Sequence, residues 1–244
     1  MGVLHSVSQT WGKADLHIHS DTSDGLASIP EIMEYVATKT DLSVIAITDH
    51  NTIEGALFAK SLEDLYPGVE VIVGEEVTSK SGHILGLFLN ETVPAGLSAA
   101  ETIARINEQG GIAIIAHPFA NRAFGPFGLK SLGRHINEVA FQAMEVYNSS
   151  PYLIHANRLA AKAFAAGQGI AATGGSDAHV LHAIGKGYTL FRGTRAEELR
   201  HSIDELETRA CADRQGMSVA WRYMVRYPQI RRLQARNRAV CRAH

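Results

Sequence analysis

At 244 residues, with 45% apolar and 20% charged side chains, the chain has an ordinary globular composition and room for one barrel-sized α/β domain or two smaller ones. That mix excludes a disordered or low-complexity chain, and neither a membrane-length apolar run nor a basic-then-apolar leader occurs, so a cytoplasmic protein is expected. The net charge of −2 conceals an asymmetry: residues 215–244 carry seven arginines and no acid, leaving 16 basic against 25 acidic side chains in residues 1–214, which argues against a body that is a broad nucleic-acid platform.

Short apolar runs alternate with helix-period stretches, the pattern of repeated βα units and a mainly parallel sheet. Strands are expected near 13–19, 43–48, 69–76, 83–89, 112–117, 142–147 and 169–174, and helices near 28–39, 53–64, 98–109, 155–167 and 195–208. The first strand carries His17 and His19 two residues apart, which places both imidazoles on one face and Leu16 and Ile18 on the other. Two adjacent buried imidazoles are costly unless their nitrogens are satisfied, either by hydrogen bonds on a half-exposed strand or by a divalent metal. Ser28, Pro30 and Glu31 form a helix-start signal, and Ser98 with Glu101 forms a capping box for a helix that stops at Gly110-Gly111. Residues 119–140, with Gly125, Pro126, Gly128 and Gly133, read as an irregular loop over the site.

The apolar runs end alike. Ser43–Thr48 runs into Asp49-His50, Val69–Val73 into Gly74-Glu75-Glu76, Gly111–Ala116 into His117-Pro118, and Gly169–Gly175 into Ser176-Asp177-Ala178-His179. Ligands bind at the C-terminal ends of strands in parallel α/β architectures, so these histidines and carboxylates are candidates for one shared site.

These segments resemble the PHP phosphoesterase family, named for polymerase and histidinol phosphatase. The resemblance rests on Asp15–Ser20 with Ser23-Asp24-Gly25, Ile47–Asn51, Gly74–Thr78, Gly82–Gly86, Ala116–Pro118 and Gly175–His179, all in the family's order. It implies an α/β fold, a distorted TIM-like (β/α)7 barrel, with two to three divalent metal ions (Zn, Mn or Fe) at one end. Carried over by position, His17, His19, Glu76 and Asp177 hold the first metal. Glu76 bridges to a second, also held by His83 and His117, and Asp24, His50 and His179 hold a third. The residues alone leave Glu75 and Glu76 open; the family's Gly-x-Glu pattern selects Glu76 and leaves Glu75 as a surface residue or one that supports the site from behind. Nitrogen and oxygen donors without sulfur suit the same metals. The implied reaction is hydrolysis of a phosphate ester (a small-molecule phosphomonoester, a nucleotide or a short oligonucleotide) by a hydroxide bridging the metals, with Glu76 and Asp177 acting through it.

Several residues stand beside this set. Asp49 orients a ligand or caps the following helix, and Glu145 is either a support for the site or a plain strand-end charge. Arg122, in the irregular loop, is a candidate phosphate clamp, as is His179 for substrate contact; Lys186 is a weaker candidate, and His155 and His182 are candidate pocket residues. His5, His135, His201 and His244 read as surface histidines. Cys211 and Cys241 suggest neither a disulfide framework nor a thiolate site. The organisation expected is a catalytic domain over 1–208 and a basic, helical C-terminal tail over 209–244. Residues 216–244 mix aromatics with arginines; they dock on the acidic body, bind nucleic acid or lie on an anionic membrane surface. The rival classes are an amidohydrolase of similar barrel type and a non-enzymatic module scaffolded by metal.

Overall fold

The computed structural model describes residues 10–120, 131–150, 153–166 and 169–213. The elements are β1 (Trp11–Ile18), α1 (Ile29–Lys39), β2 (Val44–Ile47), α2 (Glu54–Ser61), β3 (Glu70–Thr78), β4 (His83–Leu87), α3 (Ala99–Glu108), β5 (Ile112–Ile115), β6 (Ala143–Asn148), α4 (Ile154–Ala165), β7 (Ala171–Gly175), β8 (Gly187–Arg192), α5 (Ala196–Asp204) and β9 (Arg209–Ala212). Helix starts follow local chemistry. The Glu31 carboxylate accepts from the Ser28 amide at 2.8 Å, and that of Glu101 accepts from the Ser98 amide at 2.9 Å, each satisfying a donor the helix leaves open.

The strands form one sheet in the order β7-β6-β5-β4-β3-β2-β1-β8-β9, curled into a distorted, nearly closed barrel of TIM type. Its pairing is less parallel than the sequence pattern implies. β1–β2, β2–β3, β5–β6 and β6–β7 are parallel, whereas β3–β4, β4–β5, β1–β8 and β8–β9 are antiparallel. The reason is connection length: residues 79–82 are too few for a crossover, so β4 must turn back on β3.

β8 and β9 were not among the expected strands. β8 alternates buried and half-buried side chains without a continuous apolar run, and β9 has only four residues, so neither stands out from its composition. β9 also moves a boundary: residues 209–212, expected to open the tail, belong to the sheet. Residues 214–244, and with them the rest of the tail, lie outside the described residues.

The barrel nearly closes where β7 meets β8. The Thr189 hydroxyl donates to the Gly174 carbonyl at 2.9 Å, and Thr208 Oγ1 donates to the Ala172 carbonyl at 2.7 Å. A Cβ on Gly187 would lie 2.1 Å from the Gly175 carbonyl oxygen, so only glycine allows this approach. The barrel is filled by a cluster drawn from eight strands, including Leu16, Ala46, Ile72, Leu85, Ile114, Ala143, Ala171 and Phe191, and by Leu199 and Ile203 of α5. A second cluster packs α1 and α2 on the sheet, and a third packs α3.

One departure at β1 bears on the site. Leu16 joins the barrel cluster while Ile18 packs with α1, so the two do not share a face as strict alternation requires. Asp15 pairs with Ile45 and Ile18 with Ile47, three residues of β1 against two of β2, and this bulge re-aims the strand's last side chains. Among the described residues, no helix is long and apolar enough to cross a membrane.

Candidate metal centre

The bulged end of β1 delivers His17 and His19, and the turn after it delivers Asp24. That turn is held by Asp49, whose Oδ1 accepts from the Ser20 amide at 2.8 Å and the Ser23 hydroxyl at 2.5 Å, while Oδ2 accepts from the Ser20 hydroxyl at 2.6 Å. Asp49 is fully buried and anchors the turn; the N-cap of α2 is Ile53, so the expected capping role falls away. Gly55, in the first turn of α2, makes this packing fit: a Cβ there would stand 2.3 Å from Asp49 Oδ2.

His50 follows β2 and forms an isolated parallel bridge with Glu76. The next residue, Asn51, has φ +55°, and its side chain grips Thr78, accepting from the amide at 2.8 Å and donating to the hydroxyl at 3.2 Å. The chain therefore turns sharply as soon as His50 is placed.

Glu76 sits at the middle. Its Oε1 lies 2.9 Å from His83 Nδ1 and 3.1 Å from His117 Nε2; its Oε2 lies 3.4 Å from the Nε2 atoms of both His17 and His19 and 3.2 Å from His50 Nδ1. Asp177 Oδ1 faces His19 Nε2 at 3.3 Å, His17 Nε2 at 3.6 Å and His179 Nδ1 at 3.7 Å. Asp24 Oδ2 faces His179 Nε2 at 3.3 Å and His50 Nε2 at 3.7 Å, with Oδ1 3.5 Å from His19 Nδ1. All nine side chains singled out as ligands thus converge at one end of the barrel. Two of them lie in strained backbone, His117 at φ +26° and Asp177 at φ +53°, the kind of cost that accumulates at functional sites.

Support comes from behind. Glu145 Oε1 is 3.0 Å from His17 Nδ1, and its Oε2 accepts from the His117 amide at 2.7 Å, so Glu145 is a buried support and not an idle strand-end charge. Asp15 Oδ1 accepts from the Ser176 amide at 3.0 Å. Neither Asp15 nor Asn148, which reaches Asp177 at 3.3 Å, was singled out from the sequence; Asp15 adjoins the first motif, but Asn148 carries no motif signal. Glu75 is not a surface residue. It points to the other side of β3, fully buried, with Oε2 accepting from the Val93 amide at 2.9 Å and Oε1 without a hydrogen bond. Burial pushes its carboxyl up to about 7 against the lowering effect of that amide.

His155 and His201 are exposed on α4 and α5, His182 sits in a short 3-10 turn over 181–183, and Lys186 pairs with Asp213 at 2.8 Å. Arg122, His5, His244 and the His135 side chain lie outside what is described.

The electrostatics describe a site that demands positive charge. Burial alone would raise the Glu76 carboxyl; His83, His50 and His17 overcome it and hold the group well below the carboxylate range. Asp24 and Asp177 are likewise held low against burial, chiefly by His179 and by His17 respectively. In the other direction, burial pulls His179 down but Asp24 and Asp177 lift it to about 9, while burial takes His50 down to about 4. The carboxylates thus lift His179 against its burial, and a cation bound among them would supply that positive charge instead.

The nitrogens fit such a cation. His17 Nε2, both nitrogens of His19, and Nδ1 of His50, His83 and His117 are buried without a hydrogen bond. Among the described residues, donor atoms within 4.8 Å of one another fall into four overlapping groups: His19-Asp24-His50-His179, His17-His19-Glu76, His17-His117-Asp177 and His50-Glu76-His83. The donor set, imidazole and carboxylate without thiolate, suits zinc, manganese or iron(II). The cluster opens to solvent on one side: side-chain exposure is 25% at His50, 11% at His83 and 10% at Asp177, against 2% or less at His17, His19, Asp24, Glu76 and His117.

Comparison with known proteins bears on this arrangement. Residues 155–208 match the family model described as PHP-associated. The uncharacterized protein MJ1587 of Methanocaldococcus jannaschii is 43% identical over 148 residues, covering 56% of this chain and 82% of that protein. A second protein of the same organism, MJ0417, is 32% identical over 189 residues, covering 76% of this chain and 73% of its own. In structure, the chain is similar to a two-domain Bacteroides vulgatus protein containing a predicted PHP-like metal-dependent phosphoesterase, with TM-score 0.64 and 20% identity over 84% of this chain; the match spans 65% of that protein. The partly antiparallel barrel and the family match agree with the resemblance borne by the six motifs: the chain belongs to the PHP family.

Proposed function

We propose that the chain is a metal-dependent phosphoesterase that hydrolyses a phosphate ester carried by a small molecule, a nucleotide or a short oligonucleotide. The observation that carries this reading is the division of Glu76, whose two oxygens face separate groups of histidines, His83 and His117 on one side and His17, His19 and His50 on the other. A carboxylate so placed is suited to bridge two cations, as in two-metal hydrolases. In this reading His17, His19, Glu76 and Asp177 hold one ion, Glu76, His83 and His117 a second, and Asp24, His50 and His179 a third.

Divalent ions bound there supply Lewis acidity toward phosphoryl oxygens and a water of lowered pKa. The chain supplies the rest. Glu145 keeps the proton of His17 on Nδ1 and so turns its Nε2 lone pair toward the cluster. Asp49 and Asn51 fix the turns that present Asp24 and His50. In this reading the least buried members, His50, His83, Asp177 and His179, line the side from which a phosphate ester enters, and His179 contacts it. The predicted PHP-like metal-dependent phosphoesterase within the similar Bacteroides vulgatus protein supports the reaction class.

The test is a panel of phosphomonoesters, phosphodiesters and amides offered to chelator-treated protein and to protein reloaded with Mn²⁺ or Zn²⁺. Metal-dependent turnover of a phosphate ester is expected. Turnover that survives chelation, or cleavage of amides alone, overturns the proposal, the latter in favour of an amidohydrolase.

A further inference from the structure

In a regular strand, residues three apart face opposite sides. Glu145 and Asn148 nevertheless both reach the centre, because the pairing of β6 with β7 slips register between Glu145 and Tyr147. The consequence is a buried relay. Asn148 Nδ2 donates to Glu145 Oε2 at 2.9 Å and reaches Asp177 Oδ2 at 3.3 Å. Glu145 Oε1 meets His17 Nδ1 at 3.0 Å, leaving His17 Nε2 aimed between Glu76 and Asp177.

Asn148 is itself held from every side. Its backbone amide donates to Asn157 Oδ1 at 3.0 Å, its carbonyl accepts from Asn157 Nδ2 at 2.8 Å, and its side-chain Oδ1 accepts from the Ser150 amide at 2.8 Å. That last bond sets the orientation of the carboxamide, so its NH₂ group must face the two carboxylates. An acid at this position would place a third carboxylate between Glu145 and Asp177; an apolar residue would leave two buried oxygens short of a donor.

We propose, on the reading that this centre holds divalent ions, that Asn148 is a positioning residue: its NH₂ group joins Glu145 to Asp177 and thereby fixes the tautomer of His17 and the choice of Asp177 oxygen presented to the ions. One amide sets the donor faces of two ligands delivered by different strands. Groups that orient ligands in this way are worth about 10–100-fold in metal affinity or activity.

The test uses the full chain with Asn148→Ala and Asn148→Asp. The second keeps an acceptor for the Ser150 amide but exchanges the donor for a third carboxylate oxygen, so it reports on the relay even where the alanine variant does not fold. Mn²⁺ affinity is read by competition with a fluorescent chelator, and geometry by the visible absorption of the Co²⁺-loaded protein. Expected are about 10–100-fold weaker Mn²⁺ binding by Asn148→Ala and shifted Co²⁺ bands in both variants, with metal-free circular dichroism like that of the parent. Parent-like Mn²⁺ affinity and Co²⁺ bands in the variants overturn the role of Asn148 alone. A parent protein that binds neither ion overturns the metal centre and this inference together.

Discussion

Asp15 and Gly185, 170 residues apart in sequence, are joined by a 2.7 Å hydrogen bond from the Gly185 amide to the Asp15 carboxylate. The other oxygen of Asp15 accepts from the Ser176 amide at 3.0 Å. One buried side chain therefore pins both ends of the segment that carries Asp177 and His179. Asp15→Asn puts an NH₂ group against one of those amides, donor against donor. The expected outcome is a loss of about 1–3 kcal/mol of stability in denaturant unfolding. Amide exchange in residues 176–185 should accelerate more than in the distant strands β4 and β5. Uniform exchange across the barrel would mean that Asp15 stabilises the fold at large and not this segment.

Gly55 and Asp49 make a second lever. A Cβ at position 55 would meet Asp49 Oδ2 at 2.3 Å, Ser20 Oγ at 2.9 Å and Thr22 Oγ1 at 3.0 Å. Gly55→Ala must push α2 away or break the bonds that hold the turn bearing Asp24. Overpacking of this kind costs about 1–3 kcal/mol. The melting temperature should fall, and Mn²⁺ binding should weaken along with it. A variant with parent stability and parent metal affinity would show that α2 yields without disturbing the turn.

Metal removal has a readout that needs no substrate. Ligand that binds only the folded chain stabilises it by RT ln(1 + [L]/Kd), about 2.7 kcal/mol at a hundredfold excess over Kd. Mn²⁺ or Zn²⁺ should therefore raise the melting temperature of chelator-treated protein by several degrees. Glu76→Gln, which removes the charge from a side chain that faces both groups of histidines, should abolish most of that rise. An undiminished rise in the variant would count against Glu76 as the shared ligand.

How much of this was legible in the sequence follows from which interactions are local. His17, His19, Asp24, His50, Glu76, His83, His117, Asp177 and His179 stand in short segments at or near strand ends; the parallel strands bring their C-terminal ends together, and the antiparallel β4 brings His83 there from its first residue. The capping residues Ser28, Glu31, Ser98 and Glu101 act within one turn of chain and were equally readable. The bulge between Asp15 and Ile18 was not, because it is a property of pairing with β2 and leaves no mark on β1 alone. Asn148 was hidden for the same reason: its reach to Asp177 depends on a register slip between β6 and β7. Glu75 shows the limit of alternation. The pattern correctly sets it opposite Glu76, yet what lies on that side, helix α3 or solvent, is decided by tertiary packing.

That burial gives Glu75 a pH signature. Desolvation raises its carboxyl to about 7 in the folded chain, from the model-peptide value of 4.5. A carboxyl raised on folding favours the folded state while it is neutral, so its contribution is fully present below about pH 4.5 and is lost as pH rises through 7. Glu75→Gln keeps an oxygen to accept from the Val93 amide and removes the ionisation. Other groups titrate alike in both proteins, so the difference between their unfolding free energies isolates Glu75. That difference should move in favour of the variant by about 3 kcal/mol between pH 4.5 and 8, as the carboxyl's rise from 4.5 to about 7 implies at about 1.36 kcal/mol per pH unit. Urea unfolding of metal-free parent and variant at both ends of that range measures it. A difference that stays flat with pH would show that Glu75 is hydrated when ionised, and that the space beside Val93 admits water.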